Sequence, residues 1–232
     1  MPTRARPRRA AVAVQAIRDT AHLVSTRVVM VVDEDDPTLP KYQHLTFPPY
    51  GAEVTLLTLT ADETGDLVKA TNTVSMRIAA EDPDCIIANF GDDHVARTPG
   101  WDKRVLEELS EPGIAYGDDL IHGERLPTAP FISASIVNAL GWYALPTCRH
   151  LYIDDAWREL GEKADCLRYM PDVVIEHVHP GVGKAEWDEG YIKANSAKSI
   201  NQDHRAYIEW LKSTFPADVR NVKRALCQQA AA

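Results

Sequence analysis

The run Cys85-Ile86-Ile87-Ala88-Asn89-Phe90-Gly91-Asp92-Asp93-His94 decides how this chain is read. Its apolar half predicts a buried strand over 85–90, and it runs without a linker into two carboxylates and an imidazole. Polar groups at the C-terminal end of a buried strand mark the place where an α/β sheet opens its ligand crevice. Asp92 and His94 are two apart, so on extended backbone they project to one side and can grip one cation. A hard divalent ion, Mn²⁺ or Mg²⁺, suits oxygen ligands, and the imidazole tilts the choice toward Mn²⁺. The competing reading is an Asp-rich turn that caps the strand before a helix over 101–109.

Working outward, the same strand-to-polar-loop pattern recurs. Arg8 to Leu23 predicts a helix with Pro7 near its first turn. Val28 to Val32 is a β-branched apolar run that ends in four acids, Asp33 to Asp36, before Pro37. Glu53 to Thr60 predicts a strand and Asp66 to Ala80 a helix. Downstream, the pattern predicts strands over 114–116 and 173–178 and helices over 155–163 and 202–213, the last closing the chain; Phe131 to Leu140 fits either type. Alternating strands and helices predict an α/β fold with a central, mostly parallel sheet flanked by helices.

Composition bounds the function. The 232 residues fit one large domain with a full core, 45% hydrophobic and 25% charged. The boundaries expected are one domain over 1–227, with a first half over 1–110, a second over 111–227, and a tail over 228–232. The net charge of −9 disfavours broad contact with nucleic acid or anionic lipid, although Arg4, Arg6, Arg8 and Arg9 put four cations in the first nine residues. These form either a solvated basic end or a phosphate-facing loop. The four cysteines have no CxxC pair, so reduced thiols in a cytoplasm are expected. Leu126 to Cys148 carries no charge over 23 residues, but three prolines, Gly141 and several hydroxyls suit a buried irregular segment better than a membrane span. No membrane anchor is expected.

Three further constellations carry chemistry. His177 and His179 follow Val173-Val174-Ile175, and a His-x-His pair on extended backbone presents two imidazoles to one face, where they can share a metal with Asp92-Asp93-His94. Asp154-Asp155 opens a helix; the helix dipole explains acids there, and a general base for a hydroxyl is the functional alternative. Gly181-Val182-Gly183-Lys184-Ala185-Glu186-Trp187 is either a solvated loop or one that closes over a diphosphate. Tyr116-Gly117-Asp118-Asp119 has the look of a turn.

Taken in order, these residues resemble the GT-A nucleotide-sugar glycosyltransferases of the inverting family-two type. Pro2-Thr3-Arg4-Ala5-Arg6-Pro7 is similar to that family's opening loop against the nucleotide, and Val32-Asp33-Glu34-Asp35-Asp36-Pro37 to its acidic loop at the uracil and ribose. Asp92-Asp93-His94 stands in the place of the Asp-x-Asp metal motif, with Pro99-Gly100-Trp101 after it. Arg97 to Asp102 and Lys184 to Tyr191 resemble a subgroup from phages and actinobacteria.

The resemblance implies a single GT-A, Rossmann-like domain whose first half holds a nucleotide-sugar donor, with a UDP-sugar favoured. It assigns donor contacts to Thr3, Arg4, Arg6, Asp33, Asp35, Asn72, Asp92, Asp93, Lys184 and Trp187. It assigns Mn²⁺ or Mg²⁺ to Asp92, Asp93, His94, His177 and His179, and catalysis to Asp154 and Asp155, with Asp155 as the base. The acceptor hydroxyl is left open among modified DNA, protein and glycan, and the location implied is cytoplasmic, in the host if the chain is phage-encoded. Two other classes stay in view. A sugar-nucleotide nucleotidyltransferase shares the sheet and the ion but carries a glycine-rich phosphate loop near its first strand, where Thr3 to Arg9 has arginine and no glycine. A non-catalytic nucleotide or sugar-binding module is the other.

Overall fold

The structure is a computed structural model that describes residues 1–229. Its elements run α1 (Pro7–Thr20), β1 (Arg27–Asp33), α2 (Leu39–Gln43), β2 (Glu53–Leu59), α3 (Leu67–Glu81), β3 (Ile86–Ala88), β4 (His94–Ala96), α4 (Trp101–Glu108), β5 (Ile114–Asp118), β6 (Phe131–Ser133), α5 (Ala134–Leu140), α6 (Ile153–Ala164), β7 (Leu167–His177), α7 (Glu189–Ala194), α8 (Ala197–Lys212) and α9 (Phe215–Gln229). The class is α/β. Strands β1 and β2 pair with each other, and a second sheet has the order β3-β6-β5-β7-β4.

The two long pairings, β1 with β2 and β5 with β7, are parallel; the short ones, β3 with β6, β5 with β6 and β4 with β7, are antiparallel. The parallel expectation thus holds for the long strands, while the second sheet is mixed, its antiparallel pairs spanning two or three residues each. Met1 to Thr3 extends the first pair, with Thr3 N–H bonded to the Val31 carbonyl at 3.0 Å and Val31 N–H to the Met1 carbonyl at 2.9 Å.

Alternation along the strands divides the core in two. Ile87, Ile114 and Ile132 face a cluster with α3, α5, α6, α8 and α9, where Val137, Trp157, Leu160, Tyr207 and Trp210 are buried. Ala115, Phe131, Val173 and Ile175 face the opposite way, onto Val14 and Ile17 of α1, Met30 of β1, and Trp101 and Val105 of α4. Helices therefore cover both faces, and the strand ends are left for polar groups.

Two expectations are corrected. The chain does not close at Ser213, because α9 follows, its Phe215, Val219, Val222 and Leu226 returning at helical spacing to the first cluster. Gln228 and Gln229 belong to that helix rather than to a tail; 230–232 lie outside the described residues. No helix among the described residues is long and apolar enough to cross a membrane.

Buried carboxylates tie loops to this frame. Asp102 of the Arg97–Asp102 string accepts the amides of His22 at 2.9 Å and Leu23 at 2.8 Å and the Thr26 hydroxyl at 2.7 Å, pinning the end of α1 to α4. Asp203 of α8 is 1% exposed and accepts three successive amides, Arg149, His150 and Leu151, at 3.1, 3.0 and 2.8 Å. Removing such an acceptor strands buried N–H groups. Asp203→Ala is expected to lower the unfolding free energy by about 2–4 kcal/mol in urea denaturation; a loss under about 0.5 kcal/mol would mean that the 149–151 loop does not depend on it.

Candidate metal and donor site

The site is set by strand register. β4 runs antiparallel to β7 with His94 directly opposite His177. Directly opposed side chains share a face, and the two imidazoles stack with centroids 4.4 Å apart. The Asp93 carboxylate lies across both rings, Oδ1 at 3.2 Å from His94 Nδ1 and Oδ2 at 3.3 Å from His177 Nε2. One ligand atom from each of Asp93, His94 and His177 falls within 4.8 Å of the others. Burial pushes the Asp93 carboxyl up, but the hydrogen bonds to His177 and His94 outweigh it and hold the group well below the usual carboxylate range.

The shared face expected for Asp92 and His94 is not what the backbone provides. Asp92 and Asp93 form a turn, closed by His94 N–H on the Gly91 carbonyl at 3.2 Å, and period-two alternation applies only from His94 onward. Asp92 instead faces the N-terminal loop, accepting the Thr3 hydroxyl at 2.7 Å and Arg6 Nη1 at 3.1 Å. It is 7% exposed, and burial raises its pKa against the pull of Arg6 and Thr3.

The remaining predicted residues separate into those at this centre and those used elsewhere. Arg6 bridges Asp92 to Asp188 at 2.6 Å and stacks over Tyr191 at 4.1 Å. Arg4 joins Asp33 at 2.8 Å and Asp35 at 2.5 Å in an exposed cluster beside it. His179 sits against Tyr191, with ring centroids 5.1 Å apart, and its Nδ1 accepts Gly181 N–H at 3.1 Å; it is outside the three-residue group. Trp187 meets His179 and Tyr191 edge-on and is 52% exposed. Lys184 is paired with Glu176 at 2.8 Å. Asn72 is saturated by backbone: it accepts the amides of Tyr143 and Ala144 and donates to the Ala144 carbonyl, at 2.8, 2.8 and 2.7 Å. Asp155 pairs with Arg158 at 3.4 Å. Asp154 is half-buried, and burial, followed by the Asp155 charge, pushes its pKa up to about 6.

Several partners were not visible in the sequence. Tyr191 donates its hydroxyl to Asp93 at 2.6 Å, Arg9 donates to that hydroxyl at 3.1 Å, and Asp188 caps α7 while holding Arg6. The segment expected to close over a ligand therefore continues through α7, and the contacts that dock it on the N-terminal arginines fall after Trp187. Asp119, read as a turn residue, is 2% exposed and gathers five donors: the amides of Ile121, His122 and Gly123, the Thr128 hydroxyl, and His122 Nδ1 at 2.8 Å. The open grooves beside Arg104 and Tyr169, and beside Pro83 and Leu226, are lined by none of these side chains.

No family model matches the chain, and no curated protein matches it. A solved structure from Desulfovibrio desulfuricans G20, described as a "putative nucleotide-diphospho-sugar transferase", aligns with 14% identity over 93% of this chain and 85% of its own, at a TM-score of 0.45. A likeness this slight carries no weight on chemistry.

Two outcomes follow from the site's contacts. Arg6→Ala removes the grip on Asp188 and Tyr191, so limited proteolysis within 181–191 is expected to accelerate several-fold; unchanged cleavage would show that the segment is held by other contacts. A carboxyl whose pKa rises on folding stabilises the fold below its unfolded pKa and loses that contribution as pH rises through the folded value. Asp154→Asn is thus expected to raise Tm by about 2–4 °C at pH 7.5 and to leave it unchanged at pH 4; equal shifts at both pH values would contradict the burial of this charge.

Proposed function

We propose that this chain is a metal-dependent glycosyltransferase, moving a sugar from a nucleoside-diphosphate donor, a UDP-sugar foremost, to an acceptor hydroxyl with inversion. The observation that carries the reading is the convergence of Asp93, His94 and His177 at paired strand ends, within 4.8 Å, beside Arg6 and Arg9. A diphosphate needs cations from more than one side, and arginines next to a metal site supply them.

The donor set fits a divalent ion on its own evidence. His94 Nδ1 and His177 Nε2 face the Asp93 carboxylate at 3.2 and 3.3 Å, and the other nitrogen of each ring is buried without a hydrogen-bond partner. His94 Nδ1 faces both the Gly91 amide at 3.0 Å and Asp93 at 3.2 Å, and a neutral ring nitrogen cannot accept from the one and donate to the other. One carboxylate and two imidazoles favour Mn²⁺ over Mg²⁺. An ion held there offsets the charge that gathers on the departing diphosphate.

The chain's own groups do the rest. Residues 1–110 carry the donor side and 111–227 the acceptor side and the closing segment, in one domain acting in a cytoplasm. Arg6 and Arg9 bind phosphate oxygens once the 181–191 segment turns Asp188 and Tyr191 away from them, and Trp187 then closes the site to water. Asp33 and Asp35 face the ribose and base. The net charge of −9 favours a small or glycan acceptor over DNA.

Thermal shift with UDP-glucose, UDP-galactose and UDP-N-acetylglucosamine, with Mn²⁺ and then with EDTA, tests the reading. At least one donor is expected to raise Tm with Mn²⁺ and to lose the effect with EDTA, since binding stabilises by mass action. His177→Ala is expected to abolish that shift and to lower donor hydrolysis by about 100-fold or more. No shift with any donor, or one indifferent to EDTA, would refute the assignment.

A further inference from the structure

A sugar transfer also needs a group that takes the acceptor's proton, and the two carboxylates of the Asp-Asp-His turn are already occupied. Asp93 is held by two imidazoles and Tyr191, and Asp92 by Thr3 and Arg6. Asp155 pairs with Arg158 of its own helix at 3.4 Å. Building on the donor-site reading above, we propose that His122, held by buried Asp119, is the general base of the transfer.

The geometry is that of an oriented imidazole. At Gly117 the pairing of β5 with β7 shifts register, and the strands come so close that a side chain there would meet the Val173 carbonyl. Past this bulge the chain folds back, and Asp119 comes to lie inside the loop over 119–128, where its carboxylate receives the five donors already described. One oxygen takes His122 Nδ1 at 2.8 Å, which places the ring proton on Nδ1 and leaves Nε2 as the basic nitrogen. The His122 side chain is 35% exposed, and its one side-chain hydrogen bond among the described residues is the one through Nδ1. A buried carboxylate that fixes an imidazole tautomer and steadies its protonated form is a recurrent device for activating hydroxyls.

The dyad is fastened to the candidate metal centre. The Asp119 carbonyl accepts the backbone N–H of His177 at 3.0 Å, so the residue that orients His122 hangs on the residue expected to bind the ion. The carboxylate in contact with His122 is Asp119 of its own loop, and the His122 ring adds to the electrostatic surroundings of Asp154 on α6 and of His179 beyond the end of β7. In the transfer, His122 Nε2 takes the proton from the acceptor O–H, and that oxygen forms the new bond to the anomeric carbon. The anomeric C–O bond to the diphosphate breaks, its electron pair leaving with the nucleoside diphosphate. Nδ1–H stays on the ring, and the Asp119 carboxylate balances the imidazolium.

The test uses the full chain with Mn²⁺ and the three UDP-sugars named above, read by donor hydrolysis, by thermal shift, and by long-range proton–nitrogen correlation of the histidine rings. The expected result is a Nδ1-protonated His122 whose tautomer preference is lost in Asp119→Asn. His122→Gln, at a partly exposed position, is expected to keep the donor-induced shift and KM within threefold while kcat falls by about 100-fold or more, with the acidic limb of the pH–rate profile lost. Wild-type kcat in His122→Gln, an Nε2-protonated ring in the wild type, or loss of turnover in Asp155→Asn with His122→Gln active would each overturn the proposal. Wild-type protein that neither binds nor hydrolyses any of the donors would remove the donor-site reading and the proposal with it, whereas failure of the His122 arm alone leaves the donor site standing.

Discussion

The site depends on one constraint of register: β4 meets β7 so that His94 stands opposite His177. Three paired residues hold this short strand, and a slip by one would carry the His94 side chain to the other face. The neighbours reinforce the pairing from both sides. Val178 N–H bonds to the Asp93 carbonyl at 2.8 Å, Arg97 N–H to the Val174 carbonyl at 2.9 Å, and the Thr98 hydroxyl accepts Val174 N–H at 2.8 Å. Asp93 then has no freedom but to lie over two stacked rings.

From this pair the electrostatics spread outward in layers. Asp93 joins the imidazoles to Tyr191, Tyr191 to Arg9, and Arg6 ties Asp92 to Asp188. Buried carboxylates face cations or hydrogen-bond donors at each step, which offsets the cost of burying them. The same contacts hold the 181–191 segment against the N-terminal loop.

Much of the frame was legible because its signals are local. β-branched runs announced β1 and β2, an apolar run announced β3 ahead of the Asp-Asp-His turn, and Pro7 marked the start of α1. The helix α9 was equally readable, since Phe215, Val219, Val222 and Leu226 keep the helical period, and it was hidden only by the preceding Ser213-Thr214 break. What the sequence could not reveal was pairing at a distance. The choice of Asp93 over Asp92 follows from a turn at 91–94, and the role of Tyr191 follows from a contact 98 residues away. Asn72 shows the converse: a residue placed by resemblance at the donor spends its amide on the backbone of Tyr143 and Ala144. Asp119 has no motif at all, and only its burial among five donors distinguishes it from an ordinary turn aspartate.

The central claim is that Asp93, His94 and His177 hold one divalent cation against a diphosphate. Anomalous diffraction from crystals grown with Mn²⁺ and UDP tests it most directly. The account predicts a single strong manganese peak bonded to the Asp93 carboxylate and to a ring nitrogen of each histidine, with the UDP phosphates completing its coordination and Arg6 on their oxygens. Manganese elsewhere on the protein, or UDP bound with no metal beside these three residues, would contradict it.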